Sequence, residues 1–181
     1  KGFFYKVGST GTVTDVSLNN VSAIGKQGVG GLIGENSGEV RRVSTSGTVH
    51  GTYINNAEVG GLIGYNNDGL VKDSYSTATV TANGRNKGGL LGNNYHSTVE
   101  TSYFAGTIYN ETTDDAEGVL IGDNYNSTVA DSYWKNETTS ELSAVGTRES
   151  TLSNVVGLPA ANMTGDSAVS NMTAFDWTNT W

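Results

Sequence analysis

The sequence repeats itself every 28 to 30 residues, and no other property of the chain narrows its fold so far. The tract V-G-G-L-I-G begins at Val29 and again at Val59, returns as K-G-G-L-L-G from Lys87 and as E-G-V-L-I-G from Glu117, and has a counterpart, G-F-F-Y, at Gly2. Position for position, Gly2, Gly31, Gly61, Gly89 and Val119 lie 29, 30, 28 and 30 residues apart. A second ladder (Asn36, Asn66, Asn94, Asn124) and a third (Val40, Val71, Val99, Val129) keep the same phase. The tract D-S-Y ends at Tyr75 and again at Tyr133, with T-S-Y ending at Tyr103 between them. Self-similarity at such a period marks a stacked repeat architecture.

Within one unit the apolar residues come in bursts of two or in rough alternation, not at helical spacing. Gly-Gly, Asn-Asn and Asn-Gly pairs punctuate the bursts and supply the positive φ of tight corners. Glycine, threonine, asparagine and serine fill 85 of the 181 positions, and all four are poor residues for helix interiors. The unit therefore reads as two or three short strands joined by turns, too small to bury its own face. Stacked copies bury a shared one, each coil adding about 4.8 Å, so five coils make a rod of roughly 24 Å. The expected fold is all-β: a parallel β-solenoid (β-helix) of about five coils over residues 1–134, then an irregular, partly helical C-terminal cap over residues 135–181.

The repeated residues acquire structural roles in such a stack. Leu32, Leu62, Leu90 and Leu120, each followed by Ile33, Ile63, Leu91 or Ile121, form aliphatic columns. Neighbours on a regular strand face opposite ways, so which column faces inward stays open. Asn36, Asn66, Asn94 and Asn124 form a turn ladder whose amides bond coil to coil, as stacked amides do in cross-β structures. In the tail, a short helix is expected near Pro159 and another over residues 166–172, with Asp166 as N-cap. Phe175, Trp177 and Trp181 concentrate at its end, and the tail is read as the cover that blunts the last strand edge. The first coil starts almost at Lys1 without such a cover. The natural protein is expected either to continue on that side or to dock this edge on a partner.

The pattern G-G-L-I-G-x-N, followed by a V-x-x-S-Y-like strand, resembles the GLUG-motif repeats of large secreted and surface-anchored proteins of bacteria and archaea. The resemblance covers roughly Gly2 to Trp134 and extends to the A-N-M-T-G and F-D-W-T segments of the tail. It implies an extracellular, adhesin-like setting and, in some members, an accessory region of immunoglobulin A-cleaving metallopeptidases. The helix motif H-E-x-x-H of such peptidases is absent, since the histidines are His50 and His96 and neither precedes Glu, so that activity does not carry over. Val119 replaces the second glycine of the last unit, and Arg41-Arg42-Val43 stands where later coils have Lys-Asp-Ser or similar; both put ideal stacking in doubt locally.

Charge and composition remove several function classes. A net charge of −8 lacks the basic footprint of nucleic-acid binding. Without cysteine there is neither a disulfide nor a thiolate metal site. No apolar run reaches membrane-spanning length, and residue 1 does not open a signal peptide. Since β-helices host polysaccharide-degrading enzymes, Asp73 and Asp131 are weighed as a carboxylate pair. Two coils apart they would be separated by about 9.6 Å, near the upper end of inverting geometry. The plainer reading is two solvated turn acids. Asp114, Asp115 and Glu117 offer oxygens to a weakly held Ca²⁺. They lack the spacing of a dedicated loop, so a solvated loop is preferred and no cofactor is expected. Tyr75, Tyr103 and Tyr133, continued sideways by Phe104 and Trp134, form an aromatic column that is either packing or a ligand platform. Glycosylation sequons stand at Asn20, Asn110, Asn126, Asn136, Asn162 and Asn171, against a chance expectation of about four.

These features lead to an extracellular, non-enzymatic β-solenoid module of a microbial surface protein, with an adhesion, display or stalk role toward a protein or glycan of a host or neighbouring cell. The alternatives are a segment of a self-assembling surface filament, joined through the N-terminal coil edge, and a carbohydrate-active β-helix enzyme.

Overall fold

The computed structural model describes residues 1–53, 55–110, 117–137, 142–148 and 150–181. It is a parallel β-solenoid, as the repeat requires. Among the described residues the strands form three parallel sheets, of six, twelve and four strands. The first contains Phe4–Val7, Ile33–Asn36, Ile63–Asn67, Leu91–Tyr95, Ile121–Tyr125 and Val145–Thr147. The third contains Val29–Gly30, Asn56–Gly60, Arg85–Gly88 and Glu117–Gly118. The second carries the remaining strands, such as Leu70–Lys72, Tyr75–Ser76 and Thr79–Ala82 of the third coil.

Like pairs with like across the layers. Ile33 faces Ile63, which faces Leu91 and then Ile121. Val40, Val71, Val99 and Val129 form a second such row. Both aliphatic columns are buried: Leu32, Leu62, Leu90, Leu120 and their following neighbours are all 0% exposed. A bend at Gly31–Leu32, repeated at residues 61–62, 89–90 and 119–120, separates third-sheet from first-sheet strands. Strict alternation does not run through a bend, so both residues of each pair can turn inward. Glycine is needed there because the coils nearly touch: a Cβ on Gly61 would lie 2.2 Å from the Gly89 carbonyl oxygen. Val119 is nonetheless accommodated, fully buried, and its amide keeps the ladder by donating to the Ser143 carbonyl at 2.9 Å.

The asparagines run the length of the core in one chain of amides. Asn36 Nδ2 donates to Asn66 Oδ1, Asn66 Nδ2 to Asn94 Oδ1 and Asn94 Nδ2 to Asn124 Oδ1, each at 2.8 Å. All four side chains are buried. Each interior amide therefore satisfies one neighbour above and one below, which removes the cost of burying it.

Three details of the tail differ from the sequence-based expectation. The stack does not stop at residue 134, because Val145–Thr147 pairs with Ile121–Tyr125 and Thr151–Leu158 with Thr128–Lys135. Strand-forming runs such as T-L-S-N-V-V were masked there by the fading of the glycine punctuation. The α-helix spans Gly165–Asn171 with Thr164, not Asp166, at the N-cap; Asp166 sits in its first turn, where a carboxylate suits the helix dipole. Lastly, the aromatic end of the tail lies along the flank of the solenoid and not over its last edge. Phe175 and Trp181 reach back to the tyrosines of earlier coils, while among the described residues Thr151–Leu158 has a strand partner on one side only.

The amide ladder yields a direct test. Asn66→Ala deletes two buried side-chain bonds and strands the Asn94 acceptor, so urea denaturation should show a loss of about 2–4 kcal/mol. An unchanged midpoint would mean that the ladder contributes nothing net.

Candidate binding surfaces along the solenoid

One corner of the stack is built from residues in the left-handed region. Asp15, Arg42, Asp73, Thr101, Asp131 and Asn154 have φ of 59°, 49°, 50°, 44°, 50° and 53°. Asp and Asn tolerate this conformation, whereas Thr101, being β-branched, is strained there. The corner residues bond along the axis in pairs. Arg42 Nε donates to Asp15 Oδ1 at 2.6 Å, and one of its terminal nitrogens bonds Asp15 Oδ2 and Thr14 Oγ1, each at 2.9 Å. Hydrogen bonds from Arg42 and then Thr14 hold the Asp15 carboxyl down at about 2. Thr101 Oγ1 donates to Asp73, and Asn154 Nδ2 donates to Asp131 Oδ1 at 2.7 Å. Asp73 and Asp131 are thus turn residues engaged by different neighbours, with the Thr101 coil between them; the structure does not bring them together.

The tyrosine column is real and covered. Tyr75 pairs with Tyr103, and Tyr103 with Tyr133. The Tyr75 and Tyr103 rings stack 4.7 Å apart at 2°. Over them lies the tail: Trp181 is 6.0 Å from Tyr75 and 5.6 Å from Tyr103, and Phe175 meets Tyr133 edge-on at 5.2 Å. Tyr133 is only 2% exposed, and its hydroxyl oxygen accepts the Ala174 amide at 3.2 Å. Trp134 does not extend this surface. It packs against the main core, as the fully buried Phe104 does, because adjacent strand residues point to opposite faces. Most of the sequence-predicted ligand platform is therefore the seat of the chain's own tail.

A second aromatic column went unread in the sequence. The rings of Tyr95 and Tyr125 stack 5.2 Å apart at 14°, His96 sits 4.2 Å from Tyr95, and the Arg148 guanidinium lies 4.8 Å over Tyr125. Arg148 is held there by the buried Asp123, through an Nε–Oδ1 bond of 2.7 Å. The signal was present, since N-N-Y closes at Tyr95 and D-N-Y at Tyr125, three residues past the closing glycines and one past the asparagine ladder.

The core also holds an ion pair. In the column occupied by Val29 and Val59, the next two coils place Lys87 and Glu117. Their side chains are 3% and 9% exposed, and Nζ lies 2.5 Å from Oε1. Lys87 Nζ also reaches the carbonyls of Ala82 and Tyr109 at 3.3 and 3.4 Å. Glu117 is thus committed to a core lysine, while Asp114 and Asp115 lie outside the described residues. Among the described residues, no three acidic or histidine side chains form a metal-holding group.

Of the sequon asparagines, Asn20, Asn126, Asn136 and Asn171 are exposed, and Asn20 and Asn126 are left-handed turn residues. Asn162 is half-buried, its Nδ2 donating to Asn171 Oδ1 at 3.4 Å. Asn110 ends a strand, and its side chain is outside the described residues.

Two outcomes follow from this geometry. Lys87→Ala leaves a buried carboxylate without its partner and should cost about 3–5 kcal/mol in denaturant unfolding. The double replacement Lys87→Val/Glu117→Val, which copies the coils above, should recover most or all of that loss. For the tail, burial and, to a lesser degree, neighbouring Tyr75 push the Tyr103 phenol above its ordinary value of 10. The docked state therefore favours the protonated phenol. Its contribution is complete below pH 10 and fades as pH rises further. Near-ultraviolet circular dichroism should show the aromatic cluster loosening above pH 10, and Tyr103→Phe should blunt that dependence.

Comparison with known proteins bears on the repeat itself. The model described as the GLUG motif matches residues 55–81, about one coil. Over 77 residues, 42% of its length, the chain is 36% identical to halomucin of Haloquadratum walsbyi (strain DSM 16790 / HBSQ001), and it spans about 1% of that protein. No solved structure matches the chain. The GLUG motif is thus matched by one coil of this solenoid, residues 55–81.

Proposed function

We propose that the chain is an extracellular, non-enzymatic β-solenoid module of a microbial surface protein, extending or displaying a binding surface toward a protein or glycan of a host or neighbouring cell. The observation that carries this reading is the stacking of like residues in register along the core columns. Conserved-phase side chains are spent on coil-to-coil bonding, so each added unit lengthens the body by about 4.8 Å without disturbing its neighbours. Length set by repeat number suits a stalk or display scaffold. The GLUG match and the partial likeness to halomucin support the same setting. No helix among the described residues is long and apolar enough to cross a membrane, consistent with a module held outside one. Antibody against this segment should label intact, unpermeabilised cells of the source organism, and external protease should erase the label. Labelling only after lysis would overturn the reading.

The exposed rings of Phe3 and Tyr5 favour a second reading, self-association into a filament. Phe3 and Tyr5 are 68% and 75% exposed, and among the described residues Phe4–Val7 has a strand partner on one side only. Strand addition to such an edge is a common docking mode. Light scattering should then show assembly that grows with concentration and is abolished by a charge at position 5, as in Tyr5→Lys; a constant monomer mass would remove this alternative. A carbohydrate-active reading would need Asp73 and Asp131 to act across an intervening coil, and polysaccharide depolymerisation lost on Asp73→Asn or Asp131→Asn would be required to sustain it.

A further inference from the structure

The tyrosine column stops abruptly. In register with Tyr75, Tyr103 and Tyr133, the two preceding coils carry Ser44 and Ser17. The Tyr75 and Tyr103 rings are parallel and 4.7 Å apart, the spacing of the strands themselves, so the ring stack runs along the solenoid axis. Tyr103 covers one face of Tyr75. The other face looks toward the second coil, where a serine is too small to cover it. Ser44 and Ser17 bond each other, Oγ to Oγ at 2.8 Å, and lie flat on the wall.

This step from large to small residues opens a trough of about 300 Å³. Tyr75 and Trp181 frame it at one end, the serines line its floor, and the left-handed corner residues Asp15, Arg42 and Asp73 stand along one side. Arg42 spends Nε and one terminal nitrogen on Asp15 and Thr14. Its second terminal nitrogen and Asp73 Oδ2 make no hydrogen bond among the described residues.

We propose that this trough is a subsite for one neutral pyranose ring of a glycan. A pyranose has an apolar C–H face and a rim of hydroxyls. The uncovered ring of Tyr75 with the edge of Trp181 takes the face. The free guanidinium nitrogen of Arg42 and the free oxygen of Asp73 take adjacent hydroxyls as donor and acceptor, the charge-assisted pair that fixes orientation. Size agrees, since the volume stands at the small end of ligand sites, about 300–1,000 Å³. Charge selects further: Arg42 is already matched by Asp15, so Asp73 leaves the trough with a surplus negative charge that opposes uronic and sialic acids. This deepens the display reading and rests on it for the glycan's cellular origin, but binding is a property of the isolated chain and fails or holds apart from surface exposure.

The test is ligand-observed saturation-transfer NMR with calorimetry on the full chain, using the methyl glycosides of glucose, galactose, mannose and N-acetylglucosamine, and glucuronate as the charged control. A single ring should bind with Kd of about 1–10 mM, and glucuronate should bind at least about tenfold more weakly. Ser44→Tyr, which continues the ladder as the later coils do, should fill the trough and weaken binding at least about tenfold, with a small loss of stability because Ser44 is buried and bonded to Ser17. The isosteric substitution Asp73→Asn should weaken it severalfold and narrow the gap to glucuronate. If no neutral glycoside binds the wild-type chain up to about 50 mM, or if Ser44→Tyr leaves binding unchanged, the site is overturned. Equal binding of glucuronate would overturn the selectivity for neutral sugars. Should Ser44→Tyr misfold, the Asp73→Asn comparison decides alone, because asparagine keeps the shape of the side chain and tolerates the left-handed φ of 50° at that position.

Discussion

Registry between successive coils is the constraint on which everything else in this molecule depends. Parallel strands about 4.8 Å apart bring each residue against its counterpart one repeat away. A side chain must therefore suit its own copy. Leucine on leucine and valine on valine meet that demand through packing, asparagine on asparagine through an amide that both donates and accepts. A slip of one residue would set Asn36 against Tyr65 or Asn67 in place of Asn66 and break the buried amide chain, so the asparagines hold the register as well as the turn.

The same constraint explains how departures from the repeat create chemistry. Where Val29 and Val59 give way to Lys87 and Glu117, opposite charges replace matching apolar groups and answer each other across one coil step. Where tyrosine gives way to serine, the column loses volume in a single step and a ring face is left bare. Along the left-handed corner, the sequence Asp, Arg, Asp, Thr, Asp, Asn pairs each acid with a donor on an adjacent coil. Sites in a solenoid of this kind arise where the repeat is broken, because the unbroken parts are consumed by self-pairing.

The tail shows a second principle. The stacked tyrosines offer an apolar face on the flank, and Phe175, Trp177 and Trp181 gather against it in one aromatic cluster. Docking there converts most of a ligand-like surface into packing. It also places Trp181 at the one point where the column ends.

The sequence by itself determined the period, the class of fold, the stacked columns and the asparagine ladder, because in a parallel stack one-dimensional phase becomes three-dimensional contact almost without loss. Even the second aromatic column at Tyr95 and Tyr125 was legible in phase, though unread. What only the tertiary structure decided lies outside that mapping. The flank docking of the tail depends on how a non-repeating segment folds back over distant coils, as in the contact between Trp181 and Tyr75. The burial of both residues in each Leu-Ile pair depends on bends that suspend strand alternation. The bare face of Tyr75 depends on the direction in which its ring is stacked. Phase along the chain says which residues meet one coil away; it carries no information about segments without phase, or about the angle at which a side chain leaves the wall.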